Sequence, residues 1–413
     1  MKDKVFILGA GRGQLNLIEI CKRKKFETIV ISSDGDFPGF DVADRYYKID
    51  ITDKNKVLEA AKKEKISAII TDQIDVGVQT AAFIAEKLGI PGIGYGCSLK
   101  FTNKYIMKQE ARRLGINVAE FISANDVQDA YQKAEKIGFP VVMKPVDHDG
   151  SRGVFKINNR TELEINFATS LGYSMTGEVI IEQFISGAEY ETLGFVHNYH
   201  FDNLIIGRSY DFDIPNLFIP KERIYIDVKS VTGDAEKKIL DINKKLVEGF
   251  GLKFGISQAE FLYDKERDKV YLVEIAARGG GIYISSDLVP LTCGIDINEL
   301  LVDFATNRRK NVDLSQFRTG AAAYLCFTLP AGKITKIENA DKLKEIPGVH
   351  KVFLDTIYVG KTVEKIRDKS MRIGPILVHG KNEDECIQII ERVKETLNVW
   401  VQTEHNGIQG IQW

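Results

Sequence analysis

Cysteine is scarce and scattered. The five residues, Cys21, Cys97, Cys293, Cys326 and Cys386, form no C-x-x-C pair and have no nearby histidine to complete a zinc site. That pattern excludes a disulfide scaffold and reads as reduced thiols in a cytosolic protein. Long apolar runs are missing as well. None approaches the roughly 20 residues that a membrane span requires. Behind the charged start of MKDKVFILGAG only Val5 to Leu8 are strongly apolar, which suits a first strand and not a secretion signal. Nor is there an excess of one charge. With 56 basic against 58 acidic residues the formal net charge is -2, so no electrostatic footprint of a nucleic-acid or membrane-surface partner is present. Internal repeats and low-complexity linkers are likewise absent.

What remains is the composition of a globular protein, 44% hydrophobic and 28% charged over 413 residues, a length that predicts about three domains. Residues 4–93 alternate the strand patterns VFILGA, ETIVIS and SAIITD with helical stretches around Leu15 to Lys24 and Lys54 to Lys63. Strands separated by helices of that length predict a parallel sheet of βαβ units, an α/β domain ending near IPGIGYG. From about Ser98 the pattern becomes α+β with largely antiparallel strands. The helix KYIMKQEARRLG leads through FISANDVQDAYQKAEKIG to PVVMKP, and GEVIIEQFI, YETLGFVHN, NLIIGRSYDF, GISQAEFLYD and DKVYLVEIAARGGG come after it, with the helix DAEKKILDINKKLVEGFG among them. From about residue 319 a last segment opens on the β-rich AAAYLCFTL and closes with ILVHG and an amphipathic helix.

The strands GISQAEFLYD and KVYLVEIAAR flank the polar turn KERD. A hairpin centred near residue 267 sets Glu260 directly opposite Glu274, on one face. Facing carboxylates weaken a hairpin by a few tenths of a kcal/mol or more unless a cation lies between them. Few, hard oxygen ligands suit magnesium shared with nucleotide phosphates; the bland alternative is two solvated surface glutamates. Lys144 ends PVVMKP before the loop VDHDGSRGV, where Gly150 and Gly153 can let backbone N–H groups approach phosphate. No GK[ST] opens a helix there, so the loop is not a Walker A motif. VIIEQFISGAEYE then carries Glu182, Glu189 and Glu191 on a connection suited to an adenine edge and ribose hydroxyls.

In this order, Asn103-Lys104, VVMKP, DGSRGV, EQFISGAEYE, AEFLYD and VEIAAR resemble the ATP-grasp superfamily across residues 100–310, and the flanking segments extend the resemblance to carboxylate-amine ligases. The resemblance implies an ATP-grasp fold with an N-terminal Rossmann-like domain (1–100), an ATP-grasp domain (101–315, with a lid about 118–190) and a small C-terminal α+β domain (316–413). It implies that Lys104, Lys144, Gly150, Ser151 and Gly153 meet the phosphates, that Glu182, Gln183, Phe184 and Ile185 hold adenine, and that Glu189 binds ribose. Glu260 and Glu274 become ligands of magnesium, with manganese the alternative. Arg278 steadies the transferring phosphoryl group, a task for a planar, permanent charge. Gly279, Gly280 and Gly281 bring N–H groups to the reacting carboxylate. The partners implied are a small-molecule carboxylate and an amine, with a homodimer as the oligomer to which such proteins tend.

Many superfamily members carry an asparagine two residues after the second metal glutamate, where this chain has Ala276. The form EIAARGGG is most like the amino-acid ligase branch, and less like purine-type carboxylation or formyl transfer. A remote rival is a nicotinamide-dependent oxidoreductase, from Gly9-x-Gly11-x-Gly13 and Asp34, but Gln14 does not continue a dinucleotide fingerprint. His148 and His197 are further candidates, each more often structural at such positions. YDFDIPNLFIPKERIY reads as a long connection, either plain or covering the acceptor pocket.

Overall fold

The protein is described from a computed structural model covering residues 3–148, 150–215 and 217–413. The N-terminal strands β1 (Lys4–Leu8), β2 (Glu27–Ser32), β3 (Arg45–Lys48) and β4 (Ala68–Thr71) form a parallel sheet in the order β3-β2-β1-β4. Helices Leu15–Arg23 and Lys54–Glu64 fill the expected crossovers. β1, β2 and β4 are buried almost throughout, as strands covered on both faces must be. Polar β3, RYYK, escaped the sequence pattern because it is an edge strand with little apolar alternation.

A second, antiparallel sheet holds β5 (Phe121–Ala124), β6 (Val141–Pro145), β7 (Phe155–Ile157) and β8 (Val179–Gln183), in the order β5-β8-β6-β7. The largest sheet continues with β9 (Ala188–His197), β10 (His200–Asp211), β11 (Pro220–Asp227), β12 (Phe254–Asp264), β13 (Lys269–Ala276) and β14 (Ala321–Phe327). Beyond these lie β15 (Gly332–Glu338), β16 (Val349–Val352), β17 (Thr362–Val363), β18 (Ile373–Gly380), β19 (Asn398–Gln402) and β20 (Ile408–Gln409). The eight-stranded order is β13-β12-β9-β10-β11-β14-β18-β16, so strands on either side of residue 316 share one sheet. β17-β15-β19-β20 make a separate small sheet.

One expectation is corrected. PKERIY is not part of a connection but strand β11, which shortens the link after β10 to residues 212–219. Its charges disguise it: Glu222 and Arg223 are buried, and Arg223 reaches across the sheet to carboxylates of β9 and β12. Among the described residues no helix is long and apolar enough to cross a membrane.

Candidate active site

The β12–β13 hairpin starts from the turn in a register that pairs Asp264 with Lys269 and Phe261 with Leu272. Continued regularly, that register would place Val273 opposite Glu260. A bulge absorbs Val273, and from there Glu260 faces Glu274, Ala259 faces Ile275 and Gln258 faces Ala276. β9 adds Glu191 opposite Glu260 from the other side. Three carboxylates therefore stand in a row on adjacent strands, roughly 4.8 Å apart in backbone spacing. Uncompensated, such a row is unfavourable.

Cations reach it from two directions. Arg223 of β11, itself buried, contacts Glu191, lies 2.6 Å from Glu189 and stands 3.8 Å from Glu260. The Tyr225 hydroxyl donates to Glu191 at 3.0 Å, and Ser209 donates to Glu189 at 3.1 Å. At the other end of the row, Lys104 lies 3.0 Å from Glu274. Burial alone would raise the Glu274 pKa, but Lys104, Lys144 and Arg278 outweigh it and hold the carboxyl at about 2.

Lys104 opens the helix Lys104–Arg113, whose first N–H groups are capped by the Asn103 side chain. Its ammonium also donates to the His148 carbonyl at 2.7 Å, so one lysine joins the glycine loop to the carboxylate row. One turn on, Lys108 is fully buried and pairs with Glu182 at 3.2 Å, while Lys144 of β6 approaches the other Glu182 oxygen at 3.0 Å. Burial pulls the Lys108 pKa down to about 8 despite Glu182. Burial also pushes Glu182 up, but Lys108 and Lys144 leave it below its ordinary value. Lys108 and Arg223 were not singled out from the sequence. The i, i+4 spacing from Lys104 was the available signal for Lys108, and none pointed to Arg223.

Gly150, Ser151 and Gly153 all take positive φ. At Gly153 an added Cβ would lie 2.9 Å from the Tyr173 ring and 3.1 Å from the Ser170 backbone, so the loop there admits glycine only. Asp147 anchors its base by accepting from the Ser174 hydroxyl and the Met175 and Thr176 N–H groups. His148 stacks on Tyr173. Asp149, within the same loop, lies outside the described residues. Where β8 ends, the Gln183 and Phe184 N–H groups donate to the Glu120 and Pro140 carbonyls, and Ile185 is buried. The Phe184 ring faces Phe218, which sets that part of the link after β10 against the end of β8. Asn216 of that connection lies outside the described residues.

Two aspartates near the end of β4 position the segment beyond β13. Arg278 donates to Asp75 at 2.6 Å and bonds Gln258. Buried Asp72 accepts from the Gly279 N–H and the Ser285 hydroxyl, both at 2.8 Å. Burial lifts the Asp72 pKa against these donors. The Gly279 N–H thus points to Asp72, unlike the expectation that it turns to a substrate carboxylate. A Cβ on Gly280 would come within 2.8 Å of Ile284 and 3.4 Å of a Glu191 oxygen. In the N-terminal turn the Gln14 side chain accepts from the Gly11 N–H at 3.0 Å and donates to the Asp72 carbonyl, filling the place a dinucleotide phosphate would need. His197 sits at the far end of β9, away from this cleft.

Residues 137–287 match the model of the ATP-grasp domain, and residues 325–402 match that of L-amino acid ligase C-terminal domain 2. The L-arginine-specific L-amino acid ligase of Bacillus subtilis is 24% identical over 376 residues, 88% of each chain. Among solved structures, an L-amino acid ligase from Bacillus licheniformis superposes with a TM-score of 0.81 at 20% identity, over 97% of this chain and 99% of that one. The biotin carboxylase domain dimer of Hydrogenobacter thermophilus 2-oxoglutarate carboxylase, solved with MgADP, gives 0.71 at 17% identity over 99% and 92%. At these identities the two superpositions speak for the fold. The chain thus carries an ATP-grasp domain, and its relatives include carboxylate-amine ligases, ATP-dependent enzymes of a family that uses magnesium generally. Within them it is most like the L-amino acid ligase branch.

Proposed function

We propose that this enzyme joins the carboxylate of one amino acid to the amine of another, with ATP converted to ADP and phosphate. The observation that carries the reading is the Val273 bulge, which turns two glutamates toward each other at the end of a row already held by Arg223 and Lys104. Amino-acid substrates are supported by the C-terminal match and the L-arginine-specific relative, which favour this branch over purine-type carboxylation or formyl transfer.

The donor set fits magnesium: Glu260 and Glu274 offer hard oxygens on one face and remain partly exposed, whereas Glu191 is buried against Arg223 and Tyr225. Magnesium, or manganese in its place, would neutralise charge on the ATP phosphates. The chain's own groups do the rest. A substrate carboxylate oxygen forms a bond to the γ-phosphorus as the bond to the β,γ-bridging oxygen breaks, giving an acyl phosphate and ADP. The amine nitrogen then attacks the acyl carbon, phosphate leaves and the amine proton is lost.

Lys104 and Lys144 bind the phosphates, and the loop through Gly150, Ser151 and Gly153 closes over them to keep water from the acyl phosphate. Glu182, Gln183, Phe184 and Ile185 line the adenine, and Glu189 meets the ribose by exchanging its hold on Arg223. Arg278, aimed by Asp75 and Gln258, steadies the transferring group. Gly280 and Gly281 border the reacting carboxylate. The three-part division at residues 100 and 315, a homodimer and a cytoplasmic setting belong to the same reading. An ADP-release screen over all pairs of amino acids, with mass spectrometry of products, tests it: a dipeptide from at least one pair is expected, and ADP release without any amide product would overturn it.

A further inference from the structure

The β9–β10 hairpin ends in the two-residue turn Asn198–Tyr199, both residues at positive φ, as a tight hairpin turn demands. It is pinned from outside: the Tyr199 N–H donates to the Lys253 carbonyl at 3.1 Å, and the Asn198 amide donates to the Lys310 carbonyl at 2.9 Å. His197 and His200 face each other across the turn, and Asp202 stands two residues further along β10. Their ligand atoms all lie within 4.8 Å of one another. His197 Nε2 is 3.1 Å from one Asp202 oxygen, and His200 Nε2 is 3.4 Å from the other.

The two histidine–aspartate separations are those of a metal's ligand shell. Ligands about 2.0 Å from a tetrahedral zinc are about 3.3 Å from each other. The second ring nitrogen of His200 is also provided for. Its Nδ1 lies 3.4 Å from Glu248, a carboxylate near the end of the helix Asp234–Phe250 that is itself fixed by the Phe201 N–H at 3.1 Å. A carboxylate on Nδ1 leaves Nε2 as the ligand, which is how metal-binding histidines are usually oriented. Lys244, 3.9 Å from Glu248, points at that supporting carboxylate and not at the cluster.

We infer that His197, His200 and Asp202 form a site for one divalent transition ion of the zinc class, with water as fourth ligand and Glu248 holding His200. Imidazole nitrogens favour zinc over magnesium, so the site does not compete for the ion that accompanies ATP. It lies six residues along β9 from Glu191, about 20 Å away. The bound ion fastens the hairpin tip to the helix Asp234–Phe250.

Full-length protein equilibrated with Zn2+ in excess Mg2+-ATP, then desalted, is to be assayed for metal, and Co2+-loaded samples for the visible absorption of a tetrahedral ion. Wild type should retain about one zinc per chain and show the cobalt bands. His200→Ala, at a half-exposed position, should lose both while keeping its circular dichroism and its ADP release. Glu248→Gln should weaken zinc binding by on the order of tenfold. Wild type that retains no zinc, or His200→Ala that retains as much as wild type, overturns the assignment.

Discussion

The two antiparallel sheets meet the cleft with opposite charge. The eight-stranded sheet presents Glu189, Glu191, Glu260 and Glu274, whereas the four-stranded sheet and the helix before it present Lys144, Lys104 and Lys108. Each side carries one group of the other sign to hold it together, Arg223 among the carboxylates and Glu182 among the lysines. Charge arranged this way is complementary to a polyanion carrying a divalent cation: in the proposed function the phosphates meet the lysines and the metal meets the glutamates. The two sheets differ in how much of their charge is spoken for, since Glu182 is enclosed by its lysines while Glu260, among the described residues, has only the Arg223 guanidinium 3.8 Å away.

The contrast can be broken from either side. Glu274→Gln should lower kcat by on the order of a thousandfold, comparable to the loss of one strong transition-state contact, with the fold unchanged by circular dichroism. Wild-type-like ADP release would remove Glu274 from the metal site. Glu182→Ala leaves two buried ammonium groups without their counter-charge and should cost about 3–5 kcal/mol in urea unfolding, far more than an exposed pair would. A loss below about 1 kcal/mol, the range of exposed pairs, would mean that Lys108 and Lys144 find solvent instead.

A pH comparison sharpens the same point. The Glu274 carboxyl is held at about 2 against an ordinary 4.5, so its stabilising contribution is fully present above the unfolded value and fades as pH falls toward 2. The difference in unfolding free energy between wild type and Glu274→Gln should therefore shrink through that window, and a constant difference would refute the pairing with Lys104. Smallest is Arg278→Lys, which keeps the charge but loses the fork that spans Asp75 and Gln258. It should reduce kcat about 10- to 100-fold with little change in ATP affinity, measured by steady-state ADP release.

Much of this cleft was visible in the order of motifs, because strands and glycine turns write their spacing locally. The facing of Glu260 and Glu274 was legible, yet for an incomplete reason. A centre near residue 267 gives the right partners, but the turn itself is offset by half a residue and only the Val273 bulge restores the pairing. Arg223 was illegible because its burial depends on Glu189, Glu191 and Glu260, which come from two other strands. Asp72 and Asp75 sit roughly two hundred residues from the Arg278 and Gly279 they orient, a distance at which sequence periodicity carries nothing. The strand PKERIY was hidden by the same charges that serve the site.

The order of strands in the large sheet also bears on how the protein is made. β11, which carries Arg223, has β14 as its outer neighbour, and nearly a hundred residues separate the two in the chain. While the polypeptide emerges from the ribosome, β10 can pair with β11 at once, but the far edge of β11 stays open, with Ile224 and Tyr225 uncovered, until β14 arrives. The lysine-rich sheet, whose four strands all precede β9, closes much earlier. Nascent chains paused between residues 230 and 320 would thus display an open sheet edge on the strand bearing the cation that balances the carboxylate row, the stretch of synthesis in which a chaperone has most to protect.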